Sequence, residues 1–418
     1  MSDERPAVND AAVAPRPRIP RGIVVLGLVS LFMDLSSEFV HALLPLYLAT
    51  VLGASMLAIG LIEGTAEAIA LVVKVFSGAL SDAIGRRKPL LLAGYGLAAL
   101  TKPVFALAPT LGWVVAARWV DRVGKGVRGA PRDALVADLT PPRARGAAYG
   151  LRQALDTVGA LLGPIAAMVA LALLAGDLRS AFWFAVVPAA IAVALLVVGI
   201  DEPRARPGPP GGTRLSWADA RRLPRAFWVV TAVAALMAAS RFSEAFLVLR
   251  AADAGLGVAQ APWVMVAMTL VYALVAWPAG GAQDRGRGGA MLGWGLGALL
   301  ASHLALALAD GAAAVLAGAA LWGLHLGLTQ GVLAAMVALT APDDLRGSAF
   351  GVYNLASGAA MLAASAVAGA AWDAAGAPTA FALGAAFALA AMAALRVSRS
   401  TLARHASAGA PSDFTRRG

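Results

Sequence analysis

Long runs of apolar residues alternate with short polar connections along almost the whole chain. A hydrocarbon core of about 30 Å needs about 20 consecutive, mostly apolar residues in a helix, and twelve runs meet that length. They predict transmembrane helices at 22–49, 56–80, 89–108, 111–134, 146–175, 180–200, 226–250, 260–281, 289–309, 311–340, 347–371 and 377–396. The sequence therefore predicts an all-α membrane protein that crosses the bilayer twelve times.

The polar turn after the second run has a degraded copy about half a chain later. Glycine, aspartate and arginine recur in it; the residues are Gly78, Asp82, Gly85, Arg86 and Arg87 in the first turn, and Asp284 and Arg285 in the second. A second echo pairs the segment that starts at Arg145 with the one that starts at Arg346. Such duplication is typical of transporters built from two bundles that move around a central site.

The duplication predicts two pseudo-symmetric six-helix bundles in one chain. The longest polar connection is rich in proline and glycine and is interpreted as the linker between them. The predicted division is an N-terminal tail 1–21, a first bundle 22–200, a linker 201–225, a second bundle 226–396 and a C-terminal tail 397–418.

Charge placement predicts the orientation in the membrane. The chain of 418 residues is 60% hydrophobic and only 14% charged, with a net charge of +10. Most of its 34 Lys and Arg residues fall in the tails and the connections of one side, whereas the other side has only Arg179 and Arg250. Basic loops stay cytoplasmic, so both termini are expected there, in a bacterial plasma (inner) membrane. The net positive charge is thus explained by the orientation of the chain in the membrane, and no nucleic-acid partner is expected.

Three motifs carry a family resemblance. The turn from Gly78 to Pro89 resembles the loop signature of the major facilitator superfamily. The segment around Arg118 resembles that family's helix 4 arginine motif, and Gly159 to Pro164 is similar to the Gly-Pro motif of its drug/proton antiporter branch. The resemblance extends over about 22–396. It implies the twelve-helix fold of that family, alternating access, and an efflux activity.

Physical roles follow for two of these motifs. Gly159 and Gly163 lie four residues apart on one helical face, where they permit close helix contact, and Pro164 loosens the helix. Asp82, placed just after helix 2, is predicted to pair with arginines and a helix N-terminus as a latch between the halves. Arg86 and Arg87 either hold this loop at the membrane surface or serve only as topology determinants.

Ionisable residues inside the spans mark candidate functional sites, because they are costly in lipid. They are Asp34, Glu38, His41, Glu63, Glu67, Arg118, Arg122, Asp156, Arg241 and Glu244. Most of the acids lie in the first half, which suggests ion coupling there.

Helix spacing groups these residues. Asp34, Glu38 and His41 share a face of helix 1, where proton coupling, a salt bridge to helix 4 and a divalent-metal site all stay open. The acids of helix 2 oppose the arginines of helix 4, either as mutual neutralisation across a cavity or as contacts for an anionic substrate. Arg152 and Asp156 are expected to pair within helix 5, and Arg241 and Glu244 lie three apart on helix 7.

The sequence has no phosphate-binding GxxxxGK[ST] loop, no HExxH motif and no cysteine, so an enzyme, a cofactor and a metal are not expected. The prediction is a secondary transporter that moves a small molecule by alternating access, coupled to protons and directed outward. A uniporter or a metal or organic-anion carrier of the same fold is the alternative, and a non-transporting membrane sensor or enzyme is a remote one. Because both halves lie in one chain, a monomer in the lipid bilayer is expected.

Overall fold

The computed structural model describes residues 19–202, 220–283, 287–342 and 345–408. The first half contains α1 (Arg21–Leu46), α2 (Met56–Ile84), α3 (Lys88–Leu107), α4 (Leu111–Leu139), α5 (Arg145–Leu173) and α6 (Leu178–Gly199). The second half contains α7 (Arg225–Asp253), α8 (Trp263–Ala282), α9 (Gly288–Ala307), α10 (Ala312–Thr340), α11 (Arg346–Ala375) and α12 (Ala377–Ala408). The predicted all-α membrane fold with two sets of six helices is confirmed.

One helix differs from the others in composition. Within the described residues, 11 helices are long and apolar enough to cross a membrane, and α4 is the exception because of its charges. Arg118, Asp121 and Arg122 of α4 are nevertheless buried within the bundle. The helix is 29 residues long and packs against α2 and α3. These three charges therefore face protein, so the length criterion, and not hydropathy, identifies this span.

The two halves pack together at one end of the molecule. We call the end where α1 begins and α12 finishes the terminal face, and the other end the opposite face. A large apolar cluster near the opposite face joins both halves and includes Tyr47, Phe182, Phe246 and Trp372. Three smaller clusters near the terminal face each stay within one half. Among the described residues, apolar packing thus closes the opposite face.

Small residues let α2 and α11 approach closely across the boundary between the halves. A Cβ atom added to Gly64 of α2 would lie 2.9 Å from the Cα atom of Leu362 in α11. One added to Gly60 would strike the backbone carbonyl of Ser365. Glycine is therefore required where these helices cross, because any side chain would force them apart.

A carboxylate of the second half also caps a helix of the first half. Asp373, in the last turn of α11, accepts hydrogen bonds from the backbone amides of Met56 and Leu57, both at 2.9 Å. These amides lie at the start of α2, where N–H groups lack partners in the helix and the helix dipole favours an anion. We call this contact the Asp373 cap, and it ties the halves together at the opposite face.

Replacing Asp373 by alanine should weaken this closed state. Loss of a helix cap costs about 0.5–2 kcal/mol, which changes the ratio of closed to open molecules by a factor of about 2 to 30. Because the chain has no native cysteine, spin labels on Thr50→Cys and Ala375→Cys report the distance across the opposite face. We expect the Asp373→Ala variant to gain a longer-distance population in that measurement.

The matched control is Ser55→Ala. The Ser55 hydroxyl caps the same helix by accepting from the amide of Ala58 at 3.2 Å, but it lies in the same half as α2. This variant loses cap energy without losing a contact between halves, so its distances should match those of the unmodified protein. Identical distance distributions in Asp373→Ala and the parent protein would contradict the assigned role.

Candidate functional site

A cavity of about 220 Å³ lies between the two halves. Its walls come from α1, α2 and α4 on one side and from α7, α10 and α11 on the other. The lining residues are Glu38, His41, Glu67, Arg122, Lys125, Arg241, Phe242, Ser243, Glu244, Gln330 and Met361. Six of the predicted intramembrane residues therefore meet in one place.

A line of charged contacts leads from the cavity into the first half. His41 Nδ1 lies 3.2 Å from a carboxylate oxygen of Glu38, and His41 Nε2 lies 3.9 Å from one of Glu63. Glu63 in turn pairs with Arg118, and these two residues are 0% and 1% exposed. The cavity carboxylate Glu38 is thus connected through one imidazole to a fully buried ion pair.

A second pair continues the contact between α2 and α4. Arg122 Nη1 lies 3.0 Å from Glu67, and its Nε lies 3.6 Å from Asp121. Asp121 accepts a hydrogen bond from Lys102 Nζ of α3 at 2.8 Å. The opposing acidic and basic stripes expected from the sequence are present in the structure. Lys102 was not among the predicted site residues, although a lysine inside an apolar run is a visible signal.

Asp34 and Asp156 lie away from the cavity lining, in a separate cluster between α1, α4 and α5. Their carboxyl groups are within hydrogen-bonding reach of each other. Arg132 Nη1 of α4 lies 3.2 Å from Asp156, whereas Arg152 Nη1 lies 3.7 Å away. The expected pair of Arg152 and Asp156 within α5 is therefore present, and Arg132 of α4 is a second and nearer partner that the spacing did not predict.

The three polar residues of α1 do not form a metal site in the described parts of the chain. In those parts, no group of three or more His, Asp or Glu side chains comes together as metal ligands. Glu38 and His41 contact each other, while Asp34, one turn earlier, faces Asp156. The metal alternative thus gains no support from this geometry.

α7 is broken where it meets the cavity. Its helical parts are Arg225–Ser240 and Ala245–Asp253, and Arg241 to Glu244 between them lie outside regular helix. His303 Nε2 lies 2.7 Å from the carbonyl oxygen of Ser240. The amide of Ser243 donates to Ser365 Oγ at 3.1 Å. Their spacing of three predicted that Arg241 and Glu244 share a continuous helix face. They lie instead on a break in the helix, which partners from α9 and α11 hold in place.

The loop signature lies on the terminal face. Asp82 belongs to the last turn of α2, which ends at Ile84, so the prediction that it follows the helix is wrong. Gly85 then takes a φ of 67°, the left-handed conformation that terminates a helix and favours glycine. Gly78 faces α4, where an added Cβ would lie 3.3 Å from Ala130 Cβ.

Arg87 holds this loop to α4. Its Nη1 donates to Asp82 at 2.7 Å and its Nε to Asp138 at 3.3 Å. Burial lowers the pKa of Arg87, but the hydrogen bonds with Asp82 and Asp138 outweigh burial and raise it above its ordinary value. Arg86 lies 3.5 Å from Glu202. These contacts lie within the first half, so the latch between halves stays a prediction; Asp284 and Arg285 fall outside the described residues.

The glycines of the Gly-Pro motif fit α5 against α1. A Cβ atom added to Gly163 would lie 2.8 Å from the Cβ atom of Glu38, and one added to Gly159 would meet the backbone of Leu31. α5 continues as one helix through Pro164. This motif therefore sets the distance between α5 and the helix that carries the cavity carboxylate.

Comparison with known proteins identifies the family. The profile of the Major Facilitator Superfamily matches residues 26–249 and 244–416. The chain belongs to the Major Facilitator Superfamily. This agrees with the resemblance carried by the loop signature and the arginine motif, and it makes the protein a membrane transporter of that type.

Three relatives are similar to this chain in sequence. An uncharacterized protein of Mycobacterium tuberculosis is 31% identical over 374 residues, which cover 86% of this chain and 89% of that protein. An uncharacterized MFS-type transporter of Methanocaldococcus jannaschii is 27% identical over 85% of this chain and 89% of its own length. Multidrug resistance protein MdtH of Edwardsiella ictaluri is 31% identical over 163 residues, 38% of this chain and 37% of that protein.

Solved structures support the fold alone. A POT family transporter superposes with a TM-score of 0.76 at 14% identity, covering 92% of this chain and 97% of that one. The nucleoside transporter NupG superposes with a TM-score of 0.74 at 14% identity, covering 90% of this chain and 99% of that one.

Proposed function

We propose that this superfamily member is a secondary active transporter that exports a small molecule in exchange for protons by alternating access. The observation that carries the proposal is the charged cavity between the halves, to which both halves contribute side chains. The partial likeness to a multidrug resistance protein supports the outward direction. Both halves lie in one chain, so the transporter acts as a monomer.

The orientation follows from the basic connections on the terminal face. Basic loops remain in the cytoplasm, so the terminal face is cytoplasmic and the protein is a multi-pass protein of the plasma membrane. The apolar cluster that joins the halves then lies on the outer side. In this orientation the structure represents the state closed to the outside, and export requires the cluster around Tyr47 and Trp372 to separate.

Glu38 is the proposed proton-coupling residue at the cavity. A proton on Glu38 removes the charge that faces His41, and His41 is then left against Glu63 of the buried pair with Arg118. Proton uptake in the cavity thus changes the electrostatics of contacts between α1, α2 and α4. Asp34, through Asp156 and Arg132, is the second candidate because its carboxyl group also lies inside the membrane.

Proton coupling can be tested in proteoliposomes loaded with a pH-sensitive dye. A panel of amino acids, organic acids, amines and drugs is added one compound at a time, and proton flux is recorded with and without a pH gradient. We expect at least one compound to drive opposing proton flux, and Glu38→Gln to reduce that flux at least tenfold. Asp34→Asn tests the second candidate in the same assay.

Asp253→Asn provides a control. Asp253 is a carboxylate at the end of α7 that pairs with Arg250 and does not line the cavity. This variant should keep its proton flux. Uptake of a compound without proton flux, unchanged after a protonophore collapses the gradient, would instead establish a uniporter. The organic-anion carrier remains the second candidate because Arg241 and Lys125 both face the cavity.

A further inference from the structure

Three charged groups of the cavity have no ion-pair partner in the described part of the chain. Glu38 is in hydrogen-bonding contact with His41, and Glu67 pairs with Arg122. Lys125 from the first half, and Arg241 and Glu244 from the second, line the same cavity without an opposite charge within 4.0 Å among the described residues. Lys125 is exposed at the cavity, and Arg241 and Glu244 are half-buried. A bound molecule would displace the water around these charges, which is costly unless the molecule matches them, so this set indicates a ligand that supplies the missing partners.

We infer that the cavity accepts a small zwitterion, with its carboxylate against Lys125 and Arg241 and its ammonium group against Glu244. The inference rests on the proposed function, since it takes this cavity as the transport site. It adds the chemical class of the substrate: a molecule of amino-acid size and charge distribution.

The size and lining of the cavity argue against a large lipophilic compound. Pockets for drug-sized ligands measure about 300–1,000 Å³ and are lined mainly by apolar and aromatic side chains. This cavity measures about 220 Å³, and Phe242 and Met361 are the apolar members of its lining. A small polar molecule fits that space, and its contacts with the charged side chains replace the water that it loses on binding.

The signs of the charges argue against a simple anion or cation. A monoanion would satisfy Lys125 and Arg241 but would add nothing to Glu244, which shares the cavity with the acids Glu38 and Glu67. A monocation would satisfy Glu244 and leave two cationic side chains without a partner. A zwitterion offers a carboxylate to the two cations and an ammonium group to Glu244. Gln330 adds an amide that can donate or accept a hydrogen bond.

The position of the cations also suits transport. Lys125 belongs to α4 and Arg241 to α7, so one carboxylate between them connects the two halves. Arg241 and Glu244 are presented by the break in α7, which His303 and Ser365 hold in place. Because arginine and lysine bind carboxylates through charge-assisted hydrogen bonds, a bound zwitterion draws the halves together at the cavity.

Equilibrium binding without any gradient tests the substrate class. Purified protein is mixed with the twenty proteinogenic amino acids and with a matched trio on one skeleton: 4-aminobutanoate, butanoate and butylamine. Binding is measured by calorimetry and by the rise in melting temperature that a ligand of the folded state causes. We expect one or more zwitterions to bind at least tenfold more tightly than analogues of the same chain length that lack the ammonium group or the carboxylate group.

Two substitutions separate the contacts. A hydrogen bond to a charged group contributes about 1.5–3 kcal/mol, about a 10- to 150-fold change in affinity. Arg241→Met should weaken zwitterion binding by at least that tenfold. Glu244→Gln should abolish the preference for a zwitterion over its deaminated analogue. Arg225→Met is the control for charge, because Arg225 is exposed at the start of α7, away from the cavity.

The result that would overturn the inference is equal or tighter binding of a monoanion, a monocation or an uncharged drug. Absence of binding by every zwitterion at millimolar concentration would also overturn it. If a zwitterion binds but its transport does not depend on the pH gradient, proton coupling is refuted while the substrate class stands. Gradient-driven transport of a molecule that is not a zwitterion would refute the substrate class but leave proton coupling intact.

Discussion

Replacing Arg118 by methionine should lower the free energy of unfolding by about 3–5 kcal/mol, because it leaves the buried Glu63 carboxylate with only the imidazole of His41, 3.9 Å away. Glu63 is fully buried, and its pairing with Arg118 joins α2 to α4 inside the first half. Water does not reach either side chain to replace the lost contact. We expect little folded protein after detergent extraction, measured as the monodisperse fraction by size-exclusion chromatography and as a lower apparent melting temperature.

A double variant distinguishes the lost charge pair from lost packing. Adding Glu63→Gln to Arg118→Met removes the uncompensated charge, so the double variant should recover a large part of the lost stability. Glu67→Gln is the milder comparison, because the Glu67 side chain is 29% exposed and Arg122 keeps Asp121 at 3.6 Å. If Arg118→Met melts at the temperature of the parent protein, the pair does not stabilise the bundle.

The pairing of α2 with α4 is the part of the site that sequence spacing predicts best. Glu63 and Glu67, and likewise Arg118 and Arg122, lie four residues apart, so each pair must share a helix face. The charges of acids in one span and of bases in another neutralise each other only where the two helices pack together. The same reasoning does not reveal which helix face meets which. It also did not single out Lys102 and Arg132, which pair with Asp121 and Asp156 of neighbouring helices.

Contacts distant in sequence explain the remaining differences. The break in α7 is invisible in its local sequence because its free backbone groups are satisfied by His303 and Ser365. Asp373 caps a helix that begins more than 300 residues earlier, and no local sequence pattern predicts that contact. Helix number and the two-part organisation follow from apolar length and repeated turns, whereas the closed face depends on how the halves pack.

Replacing Gly60 by leucine should abolish transport while leaving the protein folded. In this structure the new side chain would collide with the backbone carbonyl of Ser365, which cannot move aside as a side chain can. Because the collision is between halves, each bundle can keep its own packing while the opposite face stays apart. We expect at least a tenfold loss of transport, with a normal melting profile and longer distances between labels on Thr50→Cys and Ala375→Cys.

Two glycine substitutions at other interfaces test whether this effect depends on position. Gly159→Leu would collide with the backbone of Leu31 within the first half, so it should cost stability and folded yield, since overpacking typically costs about 1–3 kcal/mol. Gly96→Leu should change little, because no atom other than the neighbouring backbone of its own helix lies within 4 Å of the added Cβ. If Gly60→Leu transports normally, or unfolds as Gly159→Leu does, then closure of the opposite face through α2 and α11 is not the step that transport requires.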